Sequence, residues 1–147
     1  MTKAMRLLAA IAACSVASVA QSQTSLPFPN PPAGKAQIVV YRLGTIIGVA
    51  MGCSGFENGI KLFELGAGRY DILNVQPGRH ILTNRSGGLE ISLDPGERRF
   101  VMCKITTGMF AGTPSFSIAD EAAFRTRFPK LKPQSAAVAS KTSLEGK

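Results

Sequence analysis

The sequence predicts an all-β fold: a small antiparallel β-sandwich, transthyretin- or immunoglobulin-like, with one short C-terminal helix. Three observations predict it. Runs of β-branched and aromatic residues recur at intervals of about ten residues. Glycine or proline turn signals separate them. No segment alternates a strand with a long helix, so βαβ units are not expected.

Met1–Ala20 precedes the sandwich and has the layout of a secretory signal peptide. Lys3 and Arg6 lead an uncharged apolar run that ends in Ser18-Val19-Ala20. The run is shorter than the roughly 20 apolar residues of a membrane-spanning helix. Residues 21–34 carry four prolines and no periodicity, and read as an extended linker. The sandwich is expected over 35–128, and a basic, disordered tail over 129–147.

Ala36–Leu43 is the first strand, β-branched and aromatic. Gly44–Gly55 is apolar but glycine-rich and reads as a broken strand. Asn58-Gly59 between apolar residues is a hairpin signal, because a type I′ turn needs positive φ at both central positions. Lys61–Leu65 is its return strand, and Gly66-Ala67-Gly68 the next turn. In Arg69–Val75, Tyr70, Ile72 and Asn74 alternate with Asp71, Leu73 and Val75. Pro77-Gly78 fits a type II turn. Arg79–Arg85 is a strand, Ser86-Gly87-Gly88 a turn, and Leu89, Ile91 and Leu93 alternate with Glu90 and Ser92. After the turn at Asp94–Glu97, Arg98–Thr106 sets Phe100, Met102 and Lys104 on one face and Val101, Cys103 and Ile105 on the other. Pro114–Ala119 is the last strand. Asp120 is the expected N-cap of a helix through about Arg127.

The full chain of 147 residues has a formal charge of +8. Of its 17 basic residues Lys3 and Arg6 lie in the leader, so 15 remain against 9 acids. From Arg125 onward stand Arg125, Arg127, Lys130, Lys132, Lys141 and Lys147 with a single acid, Glu145. The charge is terminal and not spread over an aromatic-studded face, and an export leader precedes the domain. Both argue against a nucleic-acid partner.

Cys14 lies within the leader, which leaves Cys53 and Cys103 for a compartment that permits disulfides. One bridge is the simplest reading, and two buried thiols the alternative. One histidine and two thiols do not complete a metal tetrahedron, so no metal is expected. Ile11-Ala12-Ala13-Cys14 also matches a lipobox, in which Cys14 would carry acyl chains. The short stretch before it and the ordinary cleavage site at Ala20 favour soluble export over this minor reading.

Catalytic signatures are sparse. His80 has no acid at motif spacing and reads as a solvated or edge-strand histidine. Gly52-Cys53-Ser54-Gly55 lacks the Gly-x-Ser-x-Gly spacing and the following helix of a nucleophile elbow. No cation or helix start lies near Cys53 in sequence to lower its pKa. No dinucleotide fingerprint or P-loop is present, so no cofactor is expected. Capping explains Asp120-Glu121. Arg98-Arg99 must point to opposite faces of a strand and reads as a solvated pair. Asn84-Arg85-Ser86 matches a glycosylation sequon, a short pattern common by chance. Gly44–Gly55, with Gly44, Ile46, Ile47 and Met51, is either a buried strand pair, the reading that core demand favours, or an exposed interaction segment.

Several motifs follow one another in a recognisable order. They are Tyr41-Arg42 closing the first strand, the Asn58-Gly59 hairpin, Gly68-Arg69-Tyr70, Pro77-Gly78-Arg79-His80 and Gly108-Met109-Phe110. Over about Gly34–Phe124 the chain resembles the bacterial exported proteins grouped as domain-of-unknown-function family 2846. That family is similar to PEGA-type and carboxypeptidase-regulatory-like β-sandwich modules with a Pro-Gly-His turn. The resemblance implies an envelope location, often with a lipoprotein signal, and no established activity.

These readings converge on an exported, non-catalytic β-sandwich acting as an envelope accessory or interaction module. It is expected in the periplasm or secreted, with lipid anchoring as the alternative. The expected partner is an envelope protein, peptide or glycan, with membrane contact only through a lipid anchor. The alternatives are a thiol-dependent or hydrolytic envelope enzyme with an atypical site, and a peptide- or glycan-binding module.

Overall fold

The computed structural model describes residues 25–46, 50–107 and 112–134. Two sheets face each other. One has five strands in the order β8-β7-β1-β4-β9, the other four in the order β3-β2-β5-β6. The strands are β1 Ala36–Arg42, β2 Cys53–Glu57, β3 Ile60–Leu65, β4 Arg69–Val75, β5 Gly78–Asn84, β6 Gly87–Leu93, β7 Arg98–Thr107, β8 Gly112–Ala119 and β9 Lys132–Pro133. This is the expected β-sandwich with its short C-terminal helix, α1 Glu121–Arg127. Most pairs are antiparallel, but β1 runs parallel to β7, and β4 parallel to β9. The chain makes hairpins at β2–β3, β5–β6 and β7–β8 and otherwise crosses to the opposite sheet, except that α1 leads from β8 to β9 at the far edge of the same sheet. The crossing from β6 brings β7 beside β1, and the passage through α1 brings β9 beside β4, each in the same direction as its neighbour.

Local chemistry explains the turns. Asn58 and Gly59 take φ of 50° and 79°, the positive values that a type I′ turn requires. Asp120 caps α1, its carboxylate accepting from the Ala123 amide at 2.6 Å. The β5–β6 turn lies at Arg85-Ser86, earlier than the expected Ser86-Gly87-Gly88. Asn84 shifts it: its side-chain oxygen accepts from the amides of Ser86 and Gly87 and closes the turn locally.

β1 is buried on both faces and generates two cores. Ala36, Ile38 and Val40 meet Phe63, Leu65, Leu82, Ile91, Leu93 and Val101 between the sheets. Val39 and Tyr41 point outward into a second cluster with Phe100, Phe124, Leu26 and Leu131. Phe124 is the hub, its ring 4.8 Å from Phe100 and 5.2 Å from Tyr41. The two faces expected for β7 are those observed.

Three boundaries differ from the sequence reading. The proline-rich stretch is not a free linker throughout: Leu26 is buried, and Phe28 packs about 6 Å from Tyr70, Phe124 and Phe128. The basic tail begins later than residue 129. Leu131 is buried, and Lys132-Pro133 add a strand beside Arg69-Tyr70. Both segments cover an apolar sheet face that α1, at seven residues, is too short to cover. Finally, Gly44–Gly55 is not a broken strand along its length. Gly44–Ile46 and Ala50–Gly52 are loop, and β2 begins at Cys53, because the chain is crossing between sheets there.

Candidate functional site

The four-stranded sheet is poorly sewn at its centre. β2 and β5 share one ladder pair, Phe56 with Thr83. Side chains replace the missing ladder. The Thr83 hydroxyl donates to the Phe56 carbonyl at 3.2 Å. The Glu57 carboxylate accepts from the Ile81 amide at 3.3 Å and lies 2.9 Å from His80 Nδ1. His80 Nε2 lies 2.7 Å from the Gln76 carbonyl. Both ring nitrogens therefore face acceptors, and only the doubly protonated ring donates to both. His80 is thus neither solvated nor on an edge strand. It stands on an inner strand, 12% exposed, with an acid that lies 23 residues away in sequence.

Beyond Phe56 and Thr83 the strands part, and a groove of about 450 Å³ opens. Ser54 and Phe56 line it from β2, Lys61 and Glu64 from β3, and Asn84 and Arg85 from the β5–β6 turn. The opposing sheet contributes Gly112 and Pro114, and the loop before β2 contributes Met51. Gly112 permits this approach, since a Cβ there would lie 2.6 Å from the Met51 sulfur. A smaller cavity of about 170 Å³ shares Asn84 and continues along Ser115 and Phe116. Lys61 and Glu64 form an ion pair at 2.7 Å, with both side chains nearly half exposed, a pairing that contributes little stability. The lining offers an amide, a hydroxyl, a guanidinium and a phenyl ring. That is a set for reversible recognition of a polar ligand.

The disulfide and a buried cation close the same end of the sandwich. Cys53 on β2 is bonded to Cys103 on β7, which joins the two sheets. Arg42, 2% exposed, donates from Nη1 to the Met51 carbonyl and, at 3.4 Å, to the Leu65 carbonyl. Burial lowers its pKa. It ties the β1–β2 crossing to the end of β3.

Other singled-out residues fall as follows. Gly44 and Ile46 are exposed, Ile46 at 96%, which contradicts the buried-strand-pair reading; Met51 is half-buried in the groove. Ile47, Cys14 and Gly108-Met109-Phe110 lie outside the described residues. Gly52-Cys53-Ser54-Gly55 enters a strand and then a hairpin, and Cys53 is held in the disulfide. Of Arg98 and Arg99, expected as a solvated pair, Arg99 is exposed and Arg98 is not. Arg98 Nε donates to the Gln37 amide oxygen at 2.8 Å, Nη2 donates to the Pro29 carbonyl, and the guanidinium sits 5.0 Å over the Phe28 ring. Arg99 pairs with Glu97 at 2.7 Å. Among the described residues no group of three His, Cys, Asp or Glu side chains could hold a metal ion. Sequence reasoning missed Ser54, Phe56, Lys61, Glu64 and Arg85 as a set. The one signal near them was the Asn84-Arg85-Ser86 triplet, whose amide closes the turn at the groove mouth.

No family model, curated protein or solved structure matches this chain.

Proposed function

We propose that this chain is an exported, non-catalytic interaction module of the cell envelope that holds a peptide or glycan in the groove between β2 and β5. The observation that carries this reading is the Cys53–Cys103 bond between the two sheets. Structural disulfides persist in oxidising compartments and are rare in the cytosol. The leader pattern of Met1–Ala20 agrees with it. The same bond engages the thiol that a Cys53-dependent enzyme would use as nucleophile. The polar groove supports a binding role, and the ordered motifs from Tyr41-Arg42 to Pro77-Gly78-Arg79-His80 support kinship with the family 2846 proteins.

Intact mass of the protein recovered from cells tests the reading. The expected species starts at Gln21, carries no acyl chain and has the mass of a cross-linked pair of cysteines. Unprocessed chain recovered from the cytosol overturns export. Thiol titration is expected to find no free thiol in the native state. Phe56→Ala with Arg85→Ala is expected to abolish retention of peptidoglycan fragments or envelope peptides by an otherwise folded protein. Retention equal to that of the unaltered protein removes the groove from the proposal.

A further inference from the structure

We infer that the groove beside β2 takes an extended acidic peptide, bound as a short added strand along Ser54. The inference rests on the groove reading above and selects peptide over glycan.

The Phe56 carbonyl faces β5, where it accepts from the Thr83 hydroxyl. Main-chain groups alternate sides along a strand, so those of Ser54, two residues earlier, face the same way. The irregular register between β2 and β3 leaves this alternation intact, because the extra residue, Leu62, stands on β3. Burial alternates likewise: Cys53 and Gly55 are buried, Ser54 and Phe56 half-buried. Continued past Phe56 and Thr83, the register would set Ser54 opposite Arg85. There the chain has already turned into β6, closed by the Asn84 side chain. The Ser54 amide and carbonyl thus have no ladder partner on β5, and the groove opens along this stretch. Half-buried main-chain groups are satisfied by water or by a ligand.

An extended peptide carries a donor and an acceptor on each residue, and one such residue exchanges both bonds with Ser54 as an antiparallel neighbour does. A glycan has no main chain that presents this pair at strand spacing. Across the groove β8 is not an equivalent edge, since Pro114 has no amide hydrogen. Charge selects the peptide further. The lining holds two cations, Lys61 and Arg85, against one acid, Glu64. Lys61 pairs with Glu64, and Arg85 forms no ion pair among the described residues. An acidic side chain on the added strand balances Arg85, whose planar fork suits a carboxylate. Phe56 and Met51 offer apolar surface to the neighbouring ligand residue.

Retention of the purified full chain on immobilised random hexapeptides with one fixed glutamate tests the inference. The same pool with glutamine in that place, and immobilised chito-oligosaccharides, run alongside. The glutamate pool is expected to retain the chain up to about five-fold better than the glutamine pool, the range of an exposed ion pair. Arg85→Ala is expected to bring the two pools level. Ser54→Pro deletes the amide hydrogen that faces the groove and is expected to weaken peptide retention about ten-fold. Ser54→Ala keeps that hydrogen and is expected to bind as the unaltered chain does. Amide exchange reads the same edge without a substitution. In the free chain the Ser54 amide is expected to exchange faster than that of Val40, which stands between two ladders. The soluble glutamate pool is expected to slow it, and the oligosaccharides are not. Equal retention on the two pools overturns the acidic preference, and Ser54 exchange unchanged by bound peptide overturns strand addition. Retention on oligosaccharide alone, lost in Phe56→Ala with Arg85→Ala, overturns the peptide assignment and leaves the groove reading standing. Peptide retention that survives that double variant removes the groove itself.

Discussion

Asp71 shows how one side chain can oppose the fold that contains it. Its ladder partner Val40 belongs to the core between the sheets, and paired residues share a face, so the carboxylate points toward that apolar space. Burial raises its pKa, and the hydrogen bond from the Ile72 amide, at 2.8 Å, offsets this only in part. A carboxyl with a raised folded pKa binds its proton more tightly in the folded state. Stability therefore falls as pH rises from the unfolded carboxylate value, about 3.9, through the folded one, and the loss is complete above it. Asp71→Asn keeps an acceptor for Ile72 and cannot ionise. It is expected to raise stability at neutral pH by a few tenths to about 1 kcal/mol, the carboxylate being only partly buried. Urea unfolding at stepwise lower pH is expected to show the gap closing in the acid range. A gap that widens there contradicts the argument. The alternation of β4 placed Asp71 on the same face as Leu73 and Val75, so its direction was legible. Its conflict with that face was not, because alternation says nothing about depth.

The β2–β5 seam depends on side chains where most strand pairs depend on backbone. Glu57 supplies the acceptor that the Ile81 amide would otherwise find in a ladder. Glu57→Ala leaves that amide and the His80 ring short of an acceptor, at a cost of about 1–3 kcal/mol. The loss is expected to be local. Amide exchange at Ile81 and Thr83 should quicken, while the β1–β4 ladder, seven pairs long, keeps its protection. Glu57→Gln retains an acceptor and is expected to fall between the two proteins. Unchanged exchange at Ile81 in the alanine variant would mean that the seam closes by other contacts. The hairpin that ends β2 was readable from Asn58-Gly59, and β5 from the turn signals on either side of it, since these are local signals. The seam itself was not, because Glu57 and His80 meet only through tertiary pairing. Gly55 is a similar case. It weakened the strand signal, yet it is required there: a Cβ would stand 2.2 Å from the Phe63 ring that crosses it.

At the scale of the whole molecule, two sheets share one core and one covalent link. Cysteine count, read with the leader-like pattern of Met1–Ala20, made the link legible without geometry. The parallel β1–β7 pairing and the terminal segments over Phe124 were hidden, because composition marks a proline-rich or basic stretch as polar without showing which single apolar residue, Phe28 or Leu131, docks it. The bond closes a separation of 50 residues, for which the chain-entropy model gives roughly 4 kcal/mol. The inter-sheet core around Phe63, Leu65, Leu82 and Val101 remains without it, so the reduced chain is expected to fold with a lower unfolding midpoint. Cys53→Ala, Cys103→Ala and the double substitution are each expected to lose about 2–4 kcal/mol in urea unfolding under oxidising conditions. The three losses should be nearly equal, because breaking the bond once removes the constraint and a second substitution removes only a small buried thiol. Losses that add, with the double variant near the sum of the singles, would mean that the two sulfurs stabilise the core as separate packed groups and that the bond between the sheets contributes little.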